Sequence, residues 1–136
     1  FCVKVRLTEL EPGTDYYYRF IQGDRASTVG HTKTAPADDA DVAARFAFVS
    51  CQDFNGHYYT SYKRLMQEDL DFFVHLGDYV YVSDTGTQSL EDYRDAYRRW
   101  RQQPFLRDLH AALPVVAMWD DGEFYNGIDS TGIANN

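Results

Sequence analysis

The stretch DFFVHLGDYVY, residues 71 to 81, decides how this chain is read. Asp71-Phe72-Phe73-Val74-His75-Leu76 is an apolar run of strand length, and it ends in Gly77-Asp78 with two tyrosines close behind. Read as a buried strand, it delivers a carboxylate to its exit, where α/β proteins place their ligands. Read blandly, Gly77-Asp78 is an ordinary turn.

Two further runs settle the class. Phe46-Ala47-Phe48-Val49 precedes the opening stretch, and Pro114-Val115-Val116-Ala117-Met118-Trp119 follows it. Between the first pair, Tyr59, Tyr62, Leu65, Met66 and Leu70 recur at helical spacing. Between the second pair, Ser89-Leu90-Glu91-Asp92 reads as a capping-box variant opening a helix with Leu90, Tyr93, Tyr97 and Trp100 on its apolar side. Pro104 starts another helix, running from Phe105 to Leu113. The order β-α-β-α-β predicts a parallel sheet whose strands are buried on both faces and joined by right-handed crossovers.

Parallel strands send their carboxyl ends to one edge. The three predicted exits are Ser50-Cys51-Gln52-Asp53, Gly77-Asp78-Tyr79-Val80-Tyr81 and Asp120-Asp121-Gly122-Glu123. Acids gathered there repel one another unless a cation sits among them. Asp78 has two oxygens with which to bridge two ions. Cys51 as thiolate suits iron or zinc rather than calcium or magnesium. Tyr81 is a poor ligand until a strongly acidic trivalent ion displaces a proton that normally leaves near pH ~10. Each residue also has a bland reading. Cys51 is by default a small buried hydrophobe, Tyr79 and Tyr81 are core or rim aromatics, and Asp120 and Asp121 are capping or solvated acids. Their recurrence at three successive exits favours a metal site. His75 reads as a satisfied core histidine, and His57 and His110 as surface or helix-end groups. His31 belongs to another part of the chain. Asp53, Asn55 and Asn126 are outer-shell groups or loop formers, and Arg98, Arg99 and Arg101 form a solvated basic face.

The N-terminal third has a different texture. Residues 1–7 alternate like a strand, Glu11-Pro12-Gly13-Thr14 is a turn, and Tyr16 to Ile21 and Ser27 to Thr34 are further strands. Together they predict a small three-stranded antiparallel sheet. Ala35 to Val42 has linker composition, which divides the chain into 1–36, a linker at 37–44 and 45–136.

Composition bounds the function. With 44% hydrophobic and 16% aromatic residues the chain has material for a core. The net charge of −8 splits into +1 over residues 1–36 and −9 over the remainder. So acidic a surface disfavours specific nucleic-acid binding, though bound cations still admit a phosphorylated ligand. Cys2 and Cys51 are weak evidence for a disulfide framework. No apolar run approaches a membrane span, and no secretion signal opens the chain.

Three segments together resemble a known family: Phe48-Val49-Ser50-Cys51-Gln52, then Phe73 to Tyr81, then Val116-Ala117-Met118-Trp119-Asp120-Asp121-x-Glu123-Phe124-x-Asn126. They look like the PhoD-type alkaline phosphatases and phosphodiesterases, within the calcineurin-like metallophosphoesterases. Leu10-Glu11-Pro12-Gly13-Thr14-Asp15-Tyr16 resembles the late strands of a fibronectin-III-like sandwich, with Tyr16 making a corner contact. The resemblance implies an α/β fold: a partial metallophosphoesterase β-α-β-α-β layer preceded by the last strands of that sandwich, whose earlier strands lie upstream of Phe1.

It further implies a secreted or periplasmic enzyme that hydrolyses phosphate mono- or diesters by attack of a metal-bound hydroxide, using Fe3+ and Ca2+. Cys51, Asp78 and Tyr81 would hold iron, with Asp78 bridging to calcium. Asp121 would hold a second cation, with Asp120 and Asn126 nearby; Asp78 and Asp121 would be the catalytic pair. Two departures stand out. The family pattern reads Trp-Asp-Asp-His-Glu at the third exit, and this chain has Gly122 where the His belongs. The family's enzymes are also several times longer and draw later ligands from later strands. The expectation is therefore a weakly active or inactive piece that needs the rest of its parent polypeptide. The rival reading is a non-catalytic remnant that binds metal or a partner.

Overall fold

Phe72, Phe73, Val74 and His75 form the central strand of a three-stranded parallel sheet. In this computed structural model, which describes residues 3–53, 55–82, 89–124, 128–129 and 132–133, the three strands lie side by side in chain order. Strand β5 is Phe46–Val49, β6 is Phe72–His75 and β7 is Val115–Ala117. Phe46 pairs with Phe72 and Phe73 with Val115, so all three strands leave at the same edge.

Three helices cover one face. Helix α1 spans Thr60–Leu65, α2 spans Leu90–Arg101 and α3 spans Pro104–Ala112. The predicted Ser89 cap is present as a reciprocal box: Ser89 Oγ accepts from the Asp92 N–H, and the Asp92 carboxylate accepts from the Ser89 N–H at 2.9 Å. Pro104 sits at the start of α3, as expected of a residue lacking an N–H. Helix α1 is shorter than its apolar spacing predicts. The Gln67 and Glu68 N–H groups bond to Arg64 and Leu65 carbonyls three residues back, which tightens and ends the turn before Leu70. The core joins Phe73 and Ala47 of the sheet to Tyr62 of α1, Trp100 of α2 and Leu106 and Leu109 of α3.

The sheet's other face corrects an expectation. Phe46, Phe48, Val116 and Met118 are apolar, as parallel strands buried on both sides require, yet all four are exposed. Residues within 35–44 line a cavity with Phe72 and Val116 at one end of that face and still leave these four side chains exposed. The pleat sends alternate side chains to opposite sides, and the helices reach only one of them.

The N-terminal third also departs from its expected form. Val3, Val5 and Leu7 alternate but are exposed and join no strand, because an extended segment needs a neighbour for its backbone groups. The three-stranded sheet resolves into two ribbons. Strand β1 (Asp15–Tyr18) pairs antiparallel with β4 (Gly30–Lys33), and β2 (Ile21–Gln22) pairs with β3 (Arg25–Ala26) across a turn at Gly23. Tyr16 makes its corner contact: its hydroxyl accepts from the Glu11 N–H at 2.9 Å. A further ribbon joins β8 (Ile128–Asp129) to β9 (Gly132–Ile133).

The β1–β4 ribbon rests on α3 and the sheet. His31 places Nδ1 3.0 Å from the Ala112 carbonyl and Nε2 2.7 Å from Asp15, so it ties the ribbon to α3. Lys33 pairs with Asp71 at 2.5 Å, just ahead of β6. Residues 34–45 contain no helix or strand and are exposed or half-buried.

Candidate metal centre at the strand ends

The three strand exits are stitched together by their backbones. The Cys51 N–H donates to the Gly77 carbonyl at 3.2 Å and the Gln52 N–H to the Asp78 carbonyl at 3.3 Å. The Val82 N–H donates to the Gly122 carbonyl at 3.0 Å. Gly77 makes the closest approach possible. Its φ is 111°, and a Cβ there would lie 2.5 Å from the Asp120 Cβ and 2.9 Å from the Asp120 nitrogen. Glycine alone lets the exit of β6 pass against the exit of β7.

That contact gathers the acids. Asp78, Asp120 and Asp121 each offer a carboxylate oxygen within 4.8 Å of the other two. Asp78 is buried, Asp121 half-buried and Asp120 exposed. The Tyr81 hydroxyl donates to Asp78 Oδ2 at 3.1 Å, and the Gly122 N–H donates to Asp78 Oδ1 at 2.9 Å. Tyr81 returns to Asp78 three residues on, as a loop turn allows. Its phenol is pushed above the ordinary tyrosine range, first by burial and then by the carboxylate it donates to, with Cys51 adding to the shift. Cys51 is an exposed free thiol beside Tyr81. Cys51 and Asp78 both hold left-handed backbone, at φ 55° and 54°. Such conformations cost a non-glycine residue about 1–3 kcal/mol and persist only where the surroundings impose them.

The donor set fits metal. No lysine or arginine pairs with Asp78 or Asp120 among the described residues. Three carboxylates suit hard cations, and a thiol and a phenol at one side suit a more acidic ion. Asn126 lies outside the described residues. Asp53 proves to be a loop former, accepting the Asn55 N–H at 2.9 Å.

Glu123 escaped the sequence reading as a site residue. It is 4% exposed, and its two oxygens accept four backbone N–H groups. Oε2 takes those of Asp78 at 2.9 Å and Asp120 at 2.7 Å; Oε1 takes those of Tyr79 and, at 3.1 Å, Val80. An Asp three residues before a Glu is a capping-box signature, and Asp120 and Glu123 form one around a 3-10 turn at Asp121–Glu123. Gly122 is also specific to this arrangement. A Cβ there would sit 2.5 Å from Asp78 Oδ1 and 3.3 Å from Tyr81 Cδ1, so the Asp78 carboxylate and the Tyr81 ring would have to shift to admit a histidine.

The histidines divide. His57 is exposed, as expected. His75 is fully buried, but only half satisfied: Nδ1 accepts from the Gly77 N–H at 3.3 Å, while Nε2 has no partner among the described residues. Burial lowers its pKa. His110 is a helix-end group, in the last turn of α3, and is half-buried. Its Nε2 lies 2.9 Å from the Tyr79 hydroxyl, and burial lowers its pKa to about 4. Arg101 joins His110, Tyr79 and Tyr97 around an open cavity of about 470 Å³ beside β7.

Two families of known proteins match successive parts of the chain. The PhoD-like phosphatase family matches residues 46–135, and the family of the PhoD-like phosphatase N-terminal domain matches residues 1–36. Alkaline phosphatase D of Bacillus subtilis (strain 168) is 43% identical over 141 residues, covering 91% of this chain and 24% of that protein. A solved structure described as the structure of PhoD superposes with a TM-score of 0.83 at 42% identity, covering 93% of this chain and 27% of that one. The chain thus spans about a quarter of the length of these relatives. No helix among the described residues is long and apolar enough to cross a membrane. Family match, sequence identity and superposition agree, and the chain belongs to the PhoD-like phosphatase family.

Proposed function

We propose that this chain carries the first metal-binding strand exits of a secreted phosphoesterase of the alkaline phosphatase D type, which hydrolyses phosphate mono- or diesters. The observation that carries this reading is the convergence of Asp78, Asp120 and Asp121 within 4.8 Å, with Tyr81 hydrogen-bonded to Asp78. Residues 1–36 are the last strands of a fibronectin-III-like domain, 37–44 a linker and 45–136 the first part of the metallophosphoesterase domain. Cys51, Asp78 and Tyr81 would hold Fe3+, and Asp78, Asp121, Asp120 and Asn126 would serve the second cation, Ca2+.

Bound there, the cations neutralise charge on a phosphoryl group and acidify the attacking water. The chain's own residues set the geometry. Tyr81 and Gly122 orient the two Asp78 oxygens, and Asp121 is placed by the turn that Asp120 caps. Gly122 supplies no imidazole for the leaving group, so turnover is low, and a chain a quarter of its relatives' length is weakly active or inactive alone.

The test is turnover of bis-p-nitrophenyl phosphate and p-nitrophenyl phosphate with added Fe3+ and Ca2+, in this chain and in the longer polypeptide that contains it. Turnover abolished by C51A and D78A supports the reading. No turnover by either at any metal load refutes it and leaves a non-catalytic remnant.

A further inference from the structure

One bond between the two acidic exits uses a metal-facing side chain, the Gly122 N–H donating to Asp78 Oδ1. The exits are also joined by a buried carboxylate outside the cluster of three aspartates, that of Glu123. We propose that Glu123 is a positioning residue, whose carboxylate sets the distance between Asp78 and Asp120 and thereby the affinity of the site for metal. This inference rests on the metal-site reading above.

Four donors converge on two oxygens. The N–H groups of Asp78, Tyr79 and Val80 come from the exit of β6, and that of Asp120 comes from the exit of β7. Of the two Glu123 oxygens, Oε2 is the one that bridges the exits, since it takes both the Asp78 and the Asp120 N–H. An ionised carboxylate is the side chain that accepts from four donors and offers none of its own. Successive N–H groups pointing at one anion form a nest, and the left-handed φ of 54° at Asp78 belongs to that geometry. The anion thus holds Asp78 in a backbone state that the residue would otherwise leave. Residues behind metal ligands typically change metal affinity about 10–100-fold when replaced.

Glutamine is the discriminating substitution. It matches glutamate in volume, but places an NH2 where one oxygen accepts two N–H groups, so donors face donors. Aspartate keeps both oxygens and falls one methylene short.

The experiment follows Tb3+ binding by emission sensitised through tyrosine, with Tyr81 against Asp78 as the nearest antenna, and amide hydrogen exchange in metal-free protein. E123Q is expected to weaken Tb3+ binding about 10–100-fold. It is also expected to release protection at the amides of Asp78, Tyr79, Val80 and Asp120, while α2 stays protected. E123D is expected to fall between wild type and E123Q on both readouts. Wild-type exchange at those four amides in E123Q overturns the inference, as does equal loss in both variants, which would mean that keeping both acceptor oxygens confers nothing. If E123Q fails to fold, E123D carries both measurements, and a wild-type result in it overturns the inference. Should the wild-type chain bind no Tb3+, the metal reading fails, and with it the link from Glu123 to affinity; the exchange data then test the backbone clasp alone.

Discussion

Replacing Gly77 with alanine should break the contact on which the acidic cluster is built. Two costs add. Alanine at φ 111° occupies backbone space that L-residues rarely enter, a strain of about 1–3 kcal/mol. Its Cβ would also lie 2.5 Å from the Asp120 Cβ and 2.9 Å from the Asp120 nitrogen. Backbone cannot step aside as a long side chain does, so this overpacking costs about another 1–3 kcal/mol. The sum, about 2–6 kcal/mol, is a large part of the roughly 5–15 kcal/mol that stabilises a domain.

Gly23 is the control. Its φ is 59° and nothing lies within 4 Å of the Cβ it would gain, so G23A carries the left-handed cost alone, about 1–2 kcal/mol. Urea unfolding followed by tryptophan fluorescence reads both, because Trp100 is fully buried while Trp119 is already exposed. With a slope of about 2 kcal/mol per molar, G77A should lower the midpoint by about 1–3 M and G23A by less than about 1 M. A G77A midpoint no lower than that of G23A would refute the steric argument, and with it the account of how Asp78 and Asp120 are brought together.

Three further outcomes follow from the geometry. Leu109 is fully buried in α3, so L109A should lower stability by about 2–5 kcal/mol in the same assay. His31 faces two acceptors, the Ala112 carbonyl and Asp15, and only the imidazolium donates to both; the Ala112 carbonyl, then Asp15, raise its pKa. A raised folded pKa means that its contribution is complete below the unfolded value of ~6.5 and fades as pH rises through the folded one. Urea midpoints should therefore decline above about pH 6.5 in the wild type, and H31Q should lack that decline. For Tyr81, Y81F removes the hydroxyl from Asp78 and the only phenol in contact with that carboxylate among the described residues. Loaded with Fe3+, the wild type should show a visible phenolate band that Y81F lacks, and an unchanged spectrum in Y81F would remove Tyr81 from the site.

Much of this protein is local in origin. The three apolar runs, the Ser89 box, Pro104 at a helix start and the corner contact of Tyr16 all depend on residues within about a turn of one another. Periodicity and capping chemistry report on such neighbours, so the parallel layer and its acidic edge were legible in the residue order. The motifs around Cys51, Asp78 and Asp121 carried the family as well.

Other features depend on which residues meet across long stretches of chain, and no short-range pattern encodes that. Residues 3–7 have strand alternation but no strand, because alternation names a face and does not supply a neighbour. His31 read only as part of another stretch of the chain, and the fold brings the Ala112 carbonyl of α3 to it. Gly77 read as a turn, and its need for glycine comes from Asp120, 43 positions along. Glu123 showed only the mark of a cap; that its second oxygen gathers Tyr79 and Val80 was settled by the docking of one strand exit against another. Residue order thus determined which chemical groups stand at the sheet's edge. The tertiary fold alone decided their separations, because these are set by backbone packing between segments that the chain itself keeps far apart.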